Sequence, residues 1–336
     1  MTNLATQIVN GDVLSASRLM RDVDDRKPEA IELLKELFPY TGGACIIGIT
    51  GAPGSGKSTL VDQMVGIFRK DGKSVGVVAI DPTSHFTGGA ILGDRFRMQR
   101  HTNDPGVFIR SLATRGCLGG LTRSTYDIVN VMDAMGKDII LVETVGVGQD
   151  EVEIANLAHT SIVVLVPGMG DDIQAMKAGI IEIGDIFVIN KCEREGADKT
   201  EQELRMVLEM SKKRDGEWEP VIFKTEAILG KGILELLAGI SQHKQALEQS
   251  TGRDSRLRAR KKAIFLGILQ SELINHFVAA IEKKGIWDQI IDTLIEKRID
   301  PYSLVKRMLA EELAIEEGGT SREINRESQK RAGEEE

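Results

Sequence analysis

Residues Gly51-Ala52-Pro53-Gly54-Ser55-Gly56-Lys57-Ser58-Thr59 fit G-x-x-x-x-G-K-[ST], the pattern of a phosphate-cradling loop. No other stretch narrows the possible folds as far, because such a loop works only between a buried strand and a helix start. Both flanks comply. Ala44-Cys45-Ile46-Ile47-Gly48-Ile49 is a short apolar run, the mark of a parallel strand buried on both faces. Leu60, Met64, Ile67 and Phe68 recur at helical spacing, and Asp71-Gly72 offers a stop. The loop's amides and the helix dipole then favour a phosphate. Gly51, Gly54 and Gly56 permit close backbone approach. Lys57 is placed to reach the β- and γ-phosphates, and Ser58 to ligate Mg²⁺.

The rest of the chain supports one large domain with appendages. It has 336 residues, 41% of them hydrophobic, enough for a substantial core. A net charge of −8 argues against nucleic acid as a partner. Cys45, Cys117 and Cys192 are scattered, which suggests a reducing compartment and no structural zinc. No apolar run approaches the ~18 residues of a bilayer span. The start, Met1-Thr2-Asn3-Leu4, lacks a signal-peptide layout, so a cytoplasmic protein with no membrane contact is expected.

Residues 4–37 read as two helices, the second opening at Pro28. From 44 to about 240, apolar strand candidates alternate with helices, at 44–49, 75–80, 107–110, 138–143, 161–166, 185–190 and 220–223. That alternation predicts an α/β fold: a P-loop NTPase with a mainly parallel sheet flanked by helices. Residues 257–315 read as two or three amphipathic helices outside the sheet. The basic run Arg256, Arg258, Arg260, Lys261 and Lys262 reads as a solvated face. The expected boundaries are 1–42, a helical extension; 43–250, the nucleotide domain; 251–315, a helical arm; and 316–336, a disordered tail.

In a parallel sheet, ligands meet the carboxyl ends of the strands. Asp81 ends the second strand, near the loop if those strands adjoin, and is either a Mg²⁺ ligand or the opening of a turn before Pro82. Asp94 follows a glycine-rich segment suited to ordering over a γ-phosphate, with Arg95 and Arg97 beside it. Glu143 ends the fourth strand where a P-loop NTPase holds its metal shell. Gly146 then offers an amide to the γ-phosphate, and Gln149 either orients water or opens a helix in solvent. Residues 167–177 form another glycine-hinged loop.

Asn190-Lys191-Cys192-Glu193 is similar to the base-reading N-K-x-D of GTPases, with Glu for Asp. Guanine shows two adjacent donors that one carboxylate accepts together, whereas adenine presents an acceptor there. Glu193 keeps that charge with about 1.5 Å of extra reach. Glu226, Ala227 and Ile228, after the seventh strand, are expected to add contacts to the base.

Together with Asp81-Pro82-Thr83-Ser84, residues 87–95, 143–149 and Gly170-Asp171-Asp172-Ile173-Gln174, this series resembles the MeaB/ArgK family of P-loop GTPases, of the SIMIBI class. The resemblance implies binding of GTP and GDP with Mg²⁺ and hydrolysis of GTP; with no Arg or Gln unambiguously placed to complete the site alone, slow basal hydrolysis is expected. Lys57, Asp94, Glu143 and Gln149 are the catalytic candidates, and the resemblance implies Ser58, Asp81, Asp94 and Glu143 around the metal. It further implies a homodimer through the C-terminal helices. The implied task is a chaperone's: gating adenosylcobalamin delivery to methylmalonyl-CoA mutase or a related cobalamin-dependent acyl-CoA mutase, and protecting or reactivating it. His85-Phe86 and Glu193 depart from the family pattern. The competing reading is a phosphotransferase acting on a small molecule or a transport protein, yet no acceptor base stands out. A nickel- or zinc-insertion role wants a Cys/His cluster that this chain lacks in sequence.

Overall fold

A computed structural model describes residues 1–81, 98–113, 123–144, 146, 150–168, 178–210, 218–249 and 253–310. Seven strands form one parallel sheet in the order β3-β2-β4-β1-β5-β6-β7. They are β1 (Cys45–Thr50), β2 (Val75–Asp81), β3 (Val107–Ala113), β4 (Ile139–Glu143), β5 (Thr160–Leu165), β6 (Ile186–Asn190) and β7 (Val221–Thr225). The family of apolar runs in the sequence thus corresponds strand for strand to the sheet. Strand order could not be read from them. β4 lies between β1 and β2, so Asp81 and the phosphate loop do not sit on adjoining strands.

Successive side chains on a strand face opposite ways, and the core divides accordingly. On one face Ile140, Val142, Val78 and Ile80 pack against the N-terminal helices and Ile128, Val129 and Met132. On the other, Ile47, Ile49, Leu141 and Val164 pack against Leu60, Val61, Met64, Leu236 and Ile240. The helices of the first face are α1 (Asn3–Val9), α2 (Val13–Asp24), α3 (Pro28–Leu37) and α5 (Arg123–Ala134). Those of the second are α4 (Lys57–Lys70) and α9 (Ile233–Gln249). Between them in sequence come α6 (Asp150–Leu157), α7 (Ala178–Ile183) and α8 (Ala197–Met210).

The N-terminal region has three helices where two were expected. Gly11 takes a left-handed φ of 85°. Asp12 then caps α2 by accepting from the Ser15 N–H at 2.7 Å. Asp133 of α5 joins this region to the sheet. Its carboxylate accepts from the N–H groups of Gly42, Gly43 and Ala44, at 2.6, 3.1 and 2.9 Å, just before β1.

The chain divides into two compact units, Met1–Gly267 and Ile268–Glu336. The division falls within α10 (Arg253–Lys284). The second unit continues through α11 (Trp287–Ile295) and a helix at 301–310, here α12. It exposes Leu273, Ile274, Trp287, Ile291, Ile295, Tyr302 and Val305. Contrary to the expectation from the sequence, Leu257–Lys284 is long and apolar enough to cross a membrane by length and composition. Polar residues Gln270, Ser271, Glu272, Asn275 and His276 interrupt that segment, so it contains no long unbroken apolar run. The proposed tail falls in 311–336, outside the described residues.

Candidate functional site

The phosphate loop joins β1 to α4. Gly56, the residue before the helix, has φ of 91°, a left-handed conformation that glycine adopts without penalty. A Cβ there would also overlap the Asn190 amide. Lys57 is the first residue of α4 and is buried. Its ammonium folds back over the loop, donating to the carbonyls of Gly51 at 2.7 Å and Ala52 at 3.1 Å. Gly146 lies against the same point: a Cβ on it would overlap the Gly51 carbonyl and stand 3.1 Å from Lys57 Nζ. The loop's lysine and the backbone after β4 are therefore neighbours.

Ser58 Oγ donates to Glu143 Oε1 at 2.7 Å, with both residues buried. Register explains the meeting. Glu143 stands opposite Ile49 of β1 on one side and Ala79 of β2 on the other. Thr144 reinforces it, its N–H donating to the Ile49 carbonyl at 3.0 Å and its hydroxyl to Thr50 Oγ1 at 2.9 Å. Asp81 is buried two residues beyond Ala79, at the tip of β2. Ser58 and Glu143 bring a hydroxyl and a carboxylate together in a shielded corner, oxygen donors of the kind Mg²⁺ takes, with the Asp81 carboxylate on the neighbouring strand tip. Asp94 and Gln149 lie outside the described residues, as do Arg95, Arg97, Cys117 and 169–177 of the later loop. The other two cysteines, Cys45 and Cys192, are free and partly buried.

The opposite end of the loop opens into a cleft lined by Gly56, Thr59, Asn190, Lys191, Glu193, Glu226, Ala227 and Ile228. All six base-reading candidates from the two distant sequence stretches meet here. Asn190, buried at the end of β6, holds the cleft together. Its Nδ2 donates to the Ser55 carbonyl at 2.8 Å. Its Oδ1 accepts from Thr225 Oγ1 and from the Ala227 N–H, both at 3.1 Å. The Ala227 amide is thus committed to Asn190 in this state. Lys191, at a left-handed φ of 57°, reaches back to donate to the Gly54 carbonyl at 2.8 Å. Its stem runs along the cleft.

The two carboxylates of the cleft differ. Glu226 accepts from Lys231 Nζ at 2.8 Å, and their backbones bridge in both directions. That contact lifts the Lys231 pKa above its ordinary value. Glu193 is exposed, and among the described residues no hydrogen bond or ion pair engages it. It is the carboxylate left open to a base. The sequence reading missed the Lys231 clamp on Glu226, for which the five-residue spacing offered a weak signal. It also gave no role to Thr50, which lies in no motif, or to Thr144, which lies within the 143–149 stretch.

Comparison with known proteins gives a consistent result. The profile of a family described as "Methylmalonyl Co-A mutase-associated GTPase MeaB" matches residues 16–282. A Pyrococcus abyssi protein assigned as a GTPase is 49% identical over 310 residues, covering 92% of this chain and 95% of its own. The GTPase ArgK of Escherichia coli is 33% identical over 306 residues, covering 89% of this chain and 92% of its own. Among solved structures, one described as an LAO/AO transport system kinase superposes with a TM-score of 0.64 at 22% identity, covering 91% of this chain and 95% of its own. That last likeness concerns the fold alone.

Proposed function

Since the chain belongs to the MeaB/ArgK family of P-loop GTPases and is a GTPase, we propose that its GTP hydrolysis gates the service of a cobalamin-dependent acyl-CoA mutase in the cytoplasm. Methylmalonyl-CoA mutase is the first candidate, as the family's description suggests. The protein would act there as a chaperone, admitting adenosylcobalamin and protecting or reactivating the enzyme. The observation that carries the reading is the Ser58–Glu143 hydrogen bond of 2.7 Å, set beside the Gly146–Lys57 approach. The phosphate loop and the tip of β4 touch at two points where a γ-phosphate would come between them. Loss of that phosphoryl group would be felt by both.

Each residue has a distinct task in this reading. Lys57 exchanges its two carbonyl partners for phosphate oxygens, and the loop amides take the rest of the charge. Ser58, Glu143 and Asp81 would hold Mg²⁺. The ion, when bound, offsets charge on the β- and γ-oxygens. Gly146 presents its amide toward the terminal phosphate. Glu193 accepts the guanine N1–H and N2–H₂ pair, while the Lys191 stem and Ile228 flank the ring.

The test uses purified protein, GTP and purified methylmalonyl-CoA mutase. Phosphate should be released without any added acceptor, and the mutase should raise turnover by about tenfold. Lys57→Ala should lower hydrolysis by at least about 100-fold with circular dichroism unchanged. Turnover indifferent to saturating mutase, together with no co-elution in a non-hydrolysable GTP analogue, would overturn the chaperone reading.

A further inference from the structure

Two carboxylates line the cleft at its base end, Glu193 after β6 and Glu226 after β7. Guanine has use for one of them. Its N1–H and N2–H₂ suit a carboxylate, but its 6-oxo group is an acceptor that a second carboxylate repels. Adenine is the reverse at that position, because its 6-amino group donates. A cleft with two free carboxylates would therefore lose much of its power to tell the two bases apart. Glu226 is kept from that role by Lys231, whose ammonium donates to Glu226 Oε2 at 2.8 Å. Among the described residues no other side chain bonds that carboxylate. Bonding to Glu226 lifts the Lys231 pKa, and the charges of Cys192 and Glu193 add to the effect more weakly, so Lys231 feels both carboxylates of the cleft. Lys191, the other lysine there, is committed to the Gly54 carbonyl at the phosphate end.

The side-chain pair is not needed to shape the turn. The Glu226 N–H donates to the Lys231 carbonyl at 3.2 Å, and the Lys231 N–H to the Glu226 carbonyl at 3.3 Å. Inside the turn, the Leu229 N–H donates to the Glu226 carbonyl at 3.0 Å and the Gly230 N–H to the Ala227 carbonyl at 3.2 Å. Gly230 and Gly232 take left-handed φ of 72° and 75°, and a Cβ on Gly232 would overlap the Lys224 carbonyl. The main chain thus closes 226–232 by itself. Nor does the pair add much to stability. The Lys231 side chain is 68% exposed against 17% for Glu226, and an ion pair with so exposed a partner contributes little. Its consequence lies where the buried partner lies, in the cleft.

We infer that Lys231 is a specificity-determining residue, which withdraws the Glu226 carboxylate from the base so that Glu193 alone reads the purine edge. Lys231 is a positioning residue in this role: it acts through Glu226 and need not touch the nucleotide. Freed from Lys231, Glu226 would oppose the guanine 6-oxo group and accept from the adenine 6-amino group. The lysine therefore works mainly by rejecting adenine. The inference rests on the guanine-nucleotide reading above.

The test is competition of GDP and of ADP against a fluorescent GDP analogue on the full-length protein. The wild type should favour GDP by at least about 1,000-fold. Lys231→Met should cut that preference by about 10- to 100-fold, the size of a hydrogen bond to a charged acceptor. Lys231→Arg keeps a cation on Glu226 and should stay within about threefold of the wild type. Lys231→Met combined with Glu226→Ala should restore the preference to within about threefold, because the second acceptor is gone. Lys231→Gln repeats the measurement if the Met variant folds poorly. A lysine that served only the turn would weaken both nucleotides alike and gain nothing from the second substitution. An unchanged preference in a folded Lys231→Met, or a lowered one that Glu226→Ala fails to restore, overturns the inference. A wild type that does not bind the fluorescent analogue, or that binds ADP and GDP equally, sinks the guanine-nucleotide reading and this inference with it. A wild type that prefers GDP, beside a Lys231→Met that prefers it as much, sinks this inference alone.

Discussion

Glu193 carries more of the specificity argument than any other side chain, because its neighbour in the cleft, Glu226, is tied up by Lys231 at 2.8 Å. Glu193→Gln removes the charge and one acceptor from the edge where guanine shows two donors. GDP affinity should fall by roughly 10- to 100-fold, the cost of a lost hydrogen bond to a charged group. IDP, which lacks the 2-amino group, should lose less. Equal losses for the two nucleotides, measured by competition against a fluorescent analogue, would remove Glu193 from base reading. That Glu193 would line the same cleft as Asn190 and Glu226 was legible because the proposed chemistry forces a type and a spacing. Lys57, Ser58, Asn190 and Lys191 stood out for the same reason, and the structure sets Lys57, Asn190 and Lys191 in hydrogen bonds to carbonyls of the phosphate loop. Arg260 was not legible. Read as part of a solvated face, it donates instead to the Leu157 carbonyl of α6, and a cation that serves the carbonyl end of a helix about a hundred residues away leaves no local pattern.

At the scale of elements, the seven strands were legible because strands buried on both faces are written as unbroken apolar runs. Their order was not, since pairing is decided between distant segments. The break between α1 and α2 was written in Asn10-Gly11-Asp12, a turn followed by a capping residue, and was overlooked for the longer periodicity. The junction of α6 with β5 has a measurable pH signature. Burial, followed by the nearby charges of Arg260, Lys244 and Lys261, holds the His159 pKa down from 6.5 to about 4. Its folded form is neutral, with Nδ1 free to accept from Ile46. The unfolded chain therefore binds the extra proton first as pH falls. Stability from this site should be complete above pH 6.5 and be lost progressively down to about pH 4, on the order of 3 kcal/mol in all. His159→Asn keeps an acceptor without a titration in that range and should flatten the loss. Melting temperatures of the two proteins from pH 7.5 to 4.5 check this, and parallel curves would refute it.

For the molecule as a whole, the large apolar side chains on α10, α11 and α12 pose a question of cover. Leu273, Ile274, Ile291 and Ile295 are 48%, 62%, 46% and 71% exposed. That much apolar surface on ordered helices calls for a partner. We take the partner to be a second copy, in keeping with the homodimer implied by the family resemblance. Sedimentation should find a dimer, and Leu273→Asp combined with Ile274→Asp should give a monomer that still hydrolyses GTP at its basal rate. A wild type that sediments as a monomer at micromolar concentration would exclude the arrangement. The sheet, by contrast, is complete within the first unit, and one amide in it has a wider reach than its size suggests. Asn190 holds the Ala227 amide of the cleft with its oxygen and the Ser55 carbonyl of the phosphate loop with its nitrogen. On the proposed reading, whatever steadies the base end of a nucleotide then steadies the phosphate end, and free energies measured for guanosine and for pyrophosphate alone should not sum to that of GDP.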